Sequence, residues 1–130
     1  MIGFDFLAPV LVTLGGGIGG CLRYGLSGLI GRRFGEYFPW GTLVVNISGA
    51  FVIGAATALL ARMALPSDYP RLFLVVGILG GYTTVSSFSL QTLGLALDGR
   101  MGRAALNVLG SAAGCMAAVG LGYALFGGAA

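Results

Sequence analysis

The side chains in this sequence that could do chemistry are almost all uncharged hydrogen-bond donors. They concentrate in Gly77-Ile-Leu-Gly-Gly-Tyr-Thr-Thr-Val-Ser-Ser-Phe-Ser-Leu-Gln-Thr92, where Gly80 and Gly81 precede Thr83, Thr84, Ser86, Ser87 and Ser89. Asn46 adds an amide within an apolar stretch, and Asn107, Ser111 and Cys115 recur at i, i+4, i+8, which puts them on one helix face. Histidine is absent, and the only carboxylates are Asp5, Glu36, Asp68 and Asp98. No metal-ligand spacing is present, and no enzymatic reaction is implied. Amides, hydroxyls and aromatic edges, the positive rim of the ring quadrupole, favour an anion without holding it as an arginine ring would. Permeation needs binding of that kind, favourable yet escapable.

The elements that must position these groups are membrane helices. The chain has 130 residues, 57% hydrophobic and 8% charged, with a mean hydropathy of +0.96, whereas a soluble domain carries roughly 25% charged residues. Its charges leave four uncharged runs, 6–22, 37–61, 72–97 and 104–130. About 20 apolar residues cross a hydrocarbon core, and the first run reaches that length by continuing past Arg23 to Ile30. The reading is an all-α, multi-pass membrane protein, a single domain over 1–130. Its four transmembrane helices are expected near 6–30, 40–61, 72–97 and 104–126. Met1–Phe6 has no basic residue and does not read as a signal peptide. The net charge of +3 comes from arginines at helix ends; it is a topology signal, and no nucleic-acid partner is inferred. Cys21 and Cys115 lie inside membrane runs and read as buried free thiols.

Each helix carries a local signal. In the first, Gly15/Gly19 and Gly16/Gly20 are i,i+4 pairs that let another backbone approach closely; a phosphate loop would need a preceding strand, which is missing. Arg23 either snorkels to the headgroups or faces an aqueous vestibule. In the second helix Trp40 suits the interfacial aromatic belt, and Asn46 either bonds a neighbouring helix or serves a pathway. The third helix is expected to break near Gly80–Thr84. Polar or irregular backbone is tolerated at membrane depth only where it is buried in protein or lines a wet cavity. Its freed carbonyls, at Gly80 and Thr83, are oxygen ligands suited to a hard cation, and a broken helix can coordinate sodium in this way.

Arg32, Arg33, Arg100 and Arg103 lie on one side, joined by Arg23, against Arg62 and Arg71 on the other. Positive charge sets orientation, and this bias is small enough that insertion in both orientations is open. Four helices cannot both pack and enclose a pore, so the glycine faces predict a dimer whose interface closes a polar pathway. A small proton-coupled multidrug exporter would need an intramembrane carboxylate, and every carboxylate here falls at a helix end or in a link.

Three segments carry a specific resemblance. Gly16-Gly-Ile-Gly-Gly-Cys-Leu-Arg-Tyr24, Trp40-Gly-Thr-Leu-Val-Val-Asn-Ile-Ser-Gly49 and Gly77-Ile-Leu-Gly-Gly-Tyr-Thr-Thr-Val-Ser-Ser-Phe-Ser89, in this order and spacing, resemble the small fluoride channels of the CrcB/Fluc family over nearly the whole chain. The resemblance implies a dual-topology antiparallel dimer in the bacterial inner membrane, with two fluoride pathways and a structural sodium ion at its centre. It implies passive export of fluoride that enters as the neutral acid. By position, Asn46 matches the family's pore asparagine, Gly80 and Thr83 the carbonyls that hold sodium, and Phe88 the second of two pore phenylalanines. Ser111 matches a pore serine, and Asn107 and Cys115 stand where a tyrosine and a second serine are found. Thr42 and Arg23 match vestibule-side polar positions. One departure stands out: Val85 replaces the first phenylalanine, and Ser87 the second threonine. That substitution makes the chain either a homodimeric channel with an altered pathway or one subunit of a heterodimer with a homologous partner.

Overall fold

The computed structural model describes residues 5–128; residues 1–4, on which part of the signal-peptide reading falls, lie outside the described residues. Among the described residues, four helical stretches are long and apolar enough to cross a membrane: Leu7–Phe34, Trp40–Met63, Tyr69–Leu97 and Met101–Phe126. Each takes in charge beyond its uncharged segment: Arg23, Arg32 and Arg33 in the first, Arg62 in the second, Arg71 in the third and Arg103 in the last. Helix α1 (Leu7–Phe34) takes Arg32 and Arg33 into its last turn, where positive charge complements the negative end of the helix dipole. It stops at Gly35, whose φ of 79° lies in the left-handed region open to glycine. The link that follows is tied by Tyr37 to the start of the last helix. The Arg103 guanidinium sits 3.1 Å from the centre of that ring and the Arg100 guanidinium 5.8 Å, a cation–π arrangement.

Helix α2 (Trp40–Met63) packs along the last helix, α6 (Met101–Phe126). Small residues make that contact backbone to backbone: a Cβ on Gly54 would collide with the Val119 carbonyl, and one on Gly122 with the Phe51 carbonyl. Close approach of this kind gives membrane helices their van der Waals contact where no hydrophobic drive between helices exists.

The third span is composite. A first turn, α3 (Tyr69–Arg71), leads into a π-helical segment, Leu72–Leu79, and then into one more α-turn, α4 (Gly80–Tyr82). Thr83 (φ −78°, ψ 153°) and Thr84 (φ −148°, ψ 124°) are both extended, and α5 (Val85–Leu97) restarts after them. Gly80 and Gly81 are themselves helical. A Cβ on Gly81 would meet the Gly16 carbonyl, and one on Gly15 would come within 2.6 Å of the Phe73 carbonyl. The glycines therefore let α1 and the third span touch, and the unwinding falls on the threonines that follow. Of the expected glycine pairs on α1, Gly15, Gly19 and Gly16 serve this contact, while Gly20 has open space around it. The span changes neighbours at Thr83–Thr84: residues before it pack on α1, and α5 packs on α6.

Candidate functional site

The interruption opens onto a cavity of about 650 Å3. Helices α2, α4, α5 and α6 all contribute to its wall. Asn46, Gly80, Thr83, Val85, Phe88 and Ser111 line it, together with Thr84 and Cys115. Six of the nine residues singled out from the sequence thus share one space, although they span 65 positions between Asn46 and Ser111. The other three lie elsewhere. Thr42 is buried and lines a second cavity of about 510 Å3 nearer the helix ends, with Ser87, Gln91 and Arg100. Arg23 is half-buried on α1 and lines neither cavity. Asn107 is 1% exposed and acts as a tie between helices: its Nδ2 donates to Thr92 Oγ1 at 2.9 Å.

Asn46 joins α2 to the interruption by two short hydrogen bonds. Its Nδ2 donates to the Thr84 carbonyl at 2.8 Å, and its Oδ1 accepts from the Thr84 amide at 2.7 Å. In an uninterrupted helix that amide would donate to the carbonyl of Gly80, four residues back. The last helical bonds before the break come from Thr83, whose amide and hydroxyl both donate to the Leu79 carbonyl at 3.0 Å. The Thr83 hydroxyl is thereby engaged, and its carbonyl is turned out of the helical direction by ψ 153°. Thr84 then serves as the N-cap of α5, its Oγ1 accepting from the Ser87 amide at 3.2 Å. A threonine in this role satisfies one of the free amides that open a helix. Two residues along α2, Ser48 Oγ shares a 3.0 Å hydrogen bond with the Tyr82 hydroxyl, so α2 holds the third span both at the break and just ahead of it.

On the opposite wall, Ser111 Oγ donates to Asn107 Oδ1 at 3.5 Å, a long contact at the edge of hydrogen-bonding range. Its hydroxyl can turn to a ligand at little cost. Asn46 has a second N–H beyond the one given to Thr84. The cavity therefore holds neutral donors beside an aromatic ring, Phe88. No carboxylate lines it: Asp5, Glu36, Asp68 and Asp98 all fall outside the helices. Val85 stands at its open side with 76% of its surface exposed. The sequence assigns no individual role to Thr84, Thr92 or Tyr82. Thr84 carried a usable signal, a threonine just ahead of a helical run; the other two are marked only by partners distant in the chain.

A family model described as "CrcB-like protein, Camphor Resistance (CrcB)" matches residues 10–123. Curated relatives named fluoride-specific ion channel FluC are similar over nearly the full chain. One from Brucella abortus is 54% identical over 118 residues, 89% of either chain. One from Rhodospirillum rubrum is 52% identical over 117 residues, 88% of this chain and 90% of its own. One from Opitutus terrae is 51% identical over 115 residues, 86% of both.

Proposed function

This chain belongs to the CrcB-like family, and on that premise we propose that it is a fluoride-selective channel through which fluoride leaves the cell passively, limiting its toxicity. The observation that carries the reading is the cavity between α2, α5 and α6, where Asn46 and Ser111 offer neutral donors next to Phe88. Small anions are stabilised there by N–H and O–H dipoles and by the edge of an aromatic ring. No fixed positive charge lines the space to trap them. An exporter exchanging protons for organic cations would need a carboxylate at this depth, and the helices hold none.

The working unit in this proposal is an antiparallel dimer in the bacterial inner membrane, with each chain inserted in either orientation. Two features support it. The cavity is open on one side, where Val85 is exposed, and Gly80 is exposed beside it. A second copy covering that face would enclose the path. Gly80 and Thr83 fit a sodium ion at the dimer centre: both line the cavity, the Thr84 amide is withheld from the Gly80 carbonyl, and the Thr83 carbonyl points out of the helix. Carbonyl oxygens suit a small hard cation, and two chains would supply four. When bound, the ion would neutralise these oxygens and tie the two interruptions together.

The test is flux from liposomes. Vesicles loaded with potassium fluoride and containing only this chain should empty quickly, while matched vesicles loaded with chloride retain their content. Chloride release at a comparable rate would overturn the selectivity. No fluoride release from the chain alone, restored by adding a homologous subunit, would replace the homodimer with a heterodimer.

A further inference from the structure

Asn46 meets the interruption in an unusual way for a pathway residue: both ends of its carboxamide are spent on one residue's backbone. The chemistry of that match is specific. In an extended residue the amide N–H and the carbonyl point to the same side, which is how paired strands exchange two hydrogen bonds between facing residues. Thr84, at φ −148° and ψ 124°, presents its N–H and C=O in this manner. The carboxamide, with a donor and an acceptor side by side, takes the place of the neighbouring strand. A helical Thr84 would direct its N–H to Gly80 and its carbonyl onward, and could not satisfy both ends of the amide.

We propose that Asn46 is a positioning residue for permeation: by clamping Thr84 in the extended conformation it holds the third span open. The clamp fixes where the Gly80 and Thr83 carbonyls emerge and where α5 begins, and hence where Val85 and Phe88 stand on the cavity wall. This rests on the fluoride-channel reading but assigns Asn46 a role beyond meeting the ion. With the clamp gone, the alternative is at hand, since the Thr84 amide can return to the Gly80 carbonyl and close the helix. In a bilayer the unsatisfied groups of an open break are costly, so the competition between the two arrangements is real and Asn46 decides it.

The test uses the acid–base chemistry of a near-isostere. A protonated carboxyl carries one donor and one acceptor like the amide, whereas an ionised one carries acceptors only and opposes the Thr84 carbonyl. Asn46→Asp should therefore lose the clamp at neutral pH and regain it in acid, and Asn46→Leu should lack it throughout. The first readout is the pair of 13Cα and 13Cβ shifts of Thr84 in the full-length protein in micelles, which distinguish extended from helical backbone. They should be extended in the native protein and move toward helical in Asn46→Leu and in neutral Asn46→Asp. Lowering the pH should return them in Asn46→Asp alone, with the remaining resonances in place. The second readout is fluoride current across planar bilayers, to which the neutral acid does not contribute. It should fall at least about tenfold in both variants at neutral pH, and in Asn46→Asp recover in acid to within about threefold of the native value, as expected when a buried hydrogen-bond partner is removed and restored. Thr84 shifts that stay extended in Asn46→Leu overturn the proposal. So does an acid current in Asn46→Asp no larger than in Asn46→Leu. If the native protein carries no fluoride current, even with a homologous subunit added, the channel reading fails, and the Thr84 shifts still decide whether Asn46 holds the segment.

Discussion

Residues 69–82 and α5 are two halves of one membrane-length run, and they are held in place by different physics. The first half lies backbone to backbone on α1, at Gly15, Gly16, Gly19, Gly77 and Gly81, with no side chain between them. The second half carries the hydroxyls and meets α6 through a side-chain hydrogen bond, from Asn107 to Thr92. Its outer side chains are left bare: Val85 is 76% exposed, Leu90 71% and Leu97 77%. Contact without side chains leaves no slack, whereas hydrogen bonds between side chains tolerate adjustment. The first half is thus a rigid mount, and the second is the part that can be tuned for ions and covered by another subunit.

This contrast can be broken at its strongest point first. A Cβ on Gly19 would run into the Ile78 carbonyl, so Gly19→Leu should force α1 off the third span. A destabilisation of about 3 kcal/mol or more is expected from overpacking that only backbone movement can relieve. Size-exclusion profiles of the detergent-solubilised protein should show loss of the folded species. A Gly19→Leu protein as stable as the native one would show that the mount is loose.

The second half should respond more mildly. Thr92→Val keeps its shape but removes the acceptor for the buried Asn107 amide. A loss of about 1 kcal/mol is expected, the usual scale of interhelical hydrogen bonds in membranes, and denaturant titration in micelles measures it. A loss as large as that of Gly19→Leu would erase the distinction between the halves. Val85→Phe should have the least effect on folding, within about 0.5 kcal/mol, because the side chain is exposed. Its effect belongs to conduction: a second aromatic edge on the cavity wall should raise fluoride flux from liposomes. Unchanged flux would show that valine serves there as well as phenylalanine.

The four membrane-length helices were legible in the sequence because charges punctuate it and apolar runs of that length have few other uses. Their ends were less so. Arg32 and Arg33 lie within the last turn of α1, where positive charge suits the dipole, and Arg103 lies in the first turn of α6, where the Tyr37 ring receives it. The π-helical turns of Leu72–Leu79 left no trace, for every residue there but Gly77 is a large apolar one and no periodicity can be read from an unbroken run. Within the candidate site, residue type pointed to Asn46, Phe88 and Ser111, and the cavity brings them together. Type could not tell Asn46 from Asn107. Both are asparagines inside membrane helices, yet one holds an extended backbone at the cavity wall and the other is sealed between α5 and α6. What separates them is the partner, and partners 38 and 15 residues away leave no mark on the local sequence.

The placement of the four carboxylates outside every helix, in a chain without histidine, has an energetic consequence for the proposed channel. Coupling one ion's movement to a proton's requires a group that binds and releases the proton within the membrane on each cycle. With none present, nothing links the fluoride gradient to the proton-motive force. Net current should vanish at the fluoride reversal potential and change sign beyond it, whatever the pH difference across the membrane. The cell's means of direction would then lie outside the protein, in the acidity that delivers fluoride inward as a neutral molecule and the membrane voltage that drives the anion out.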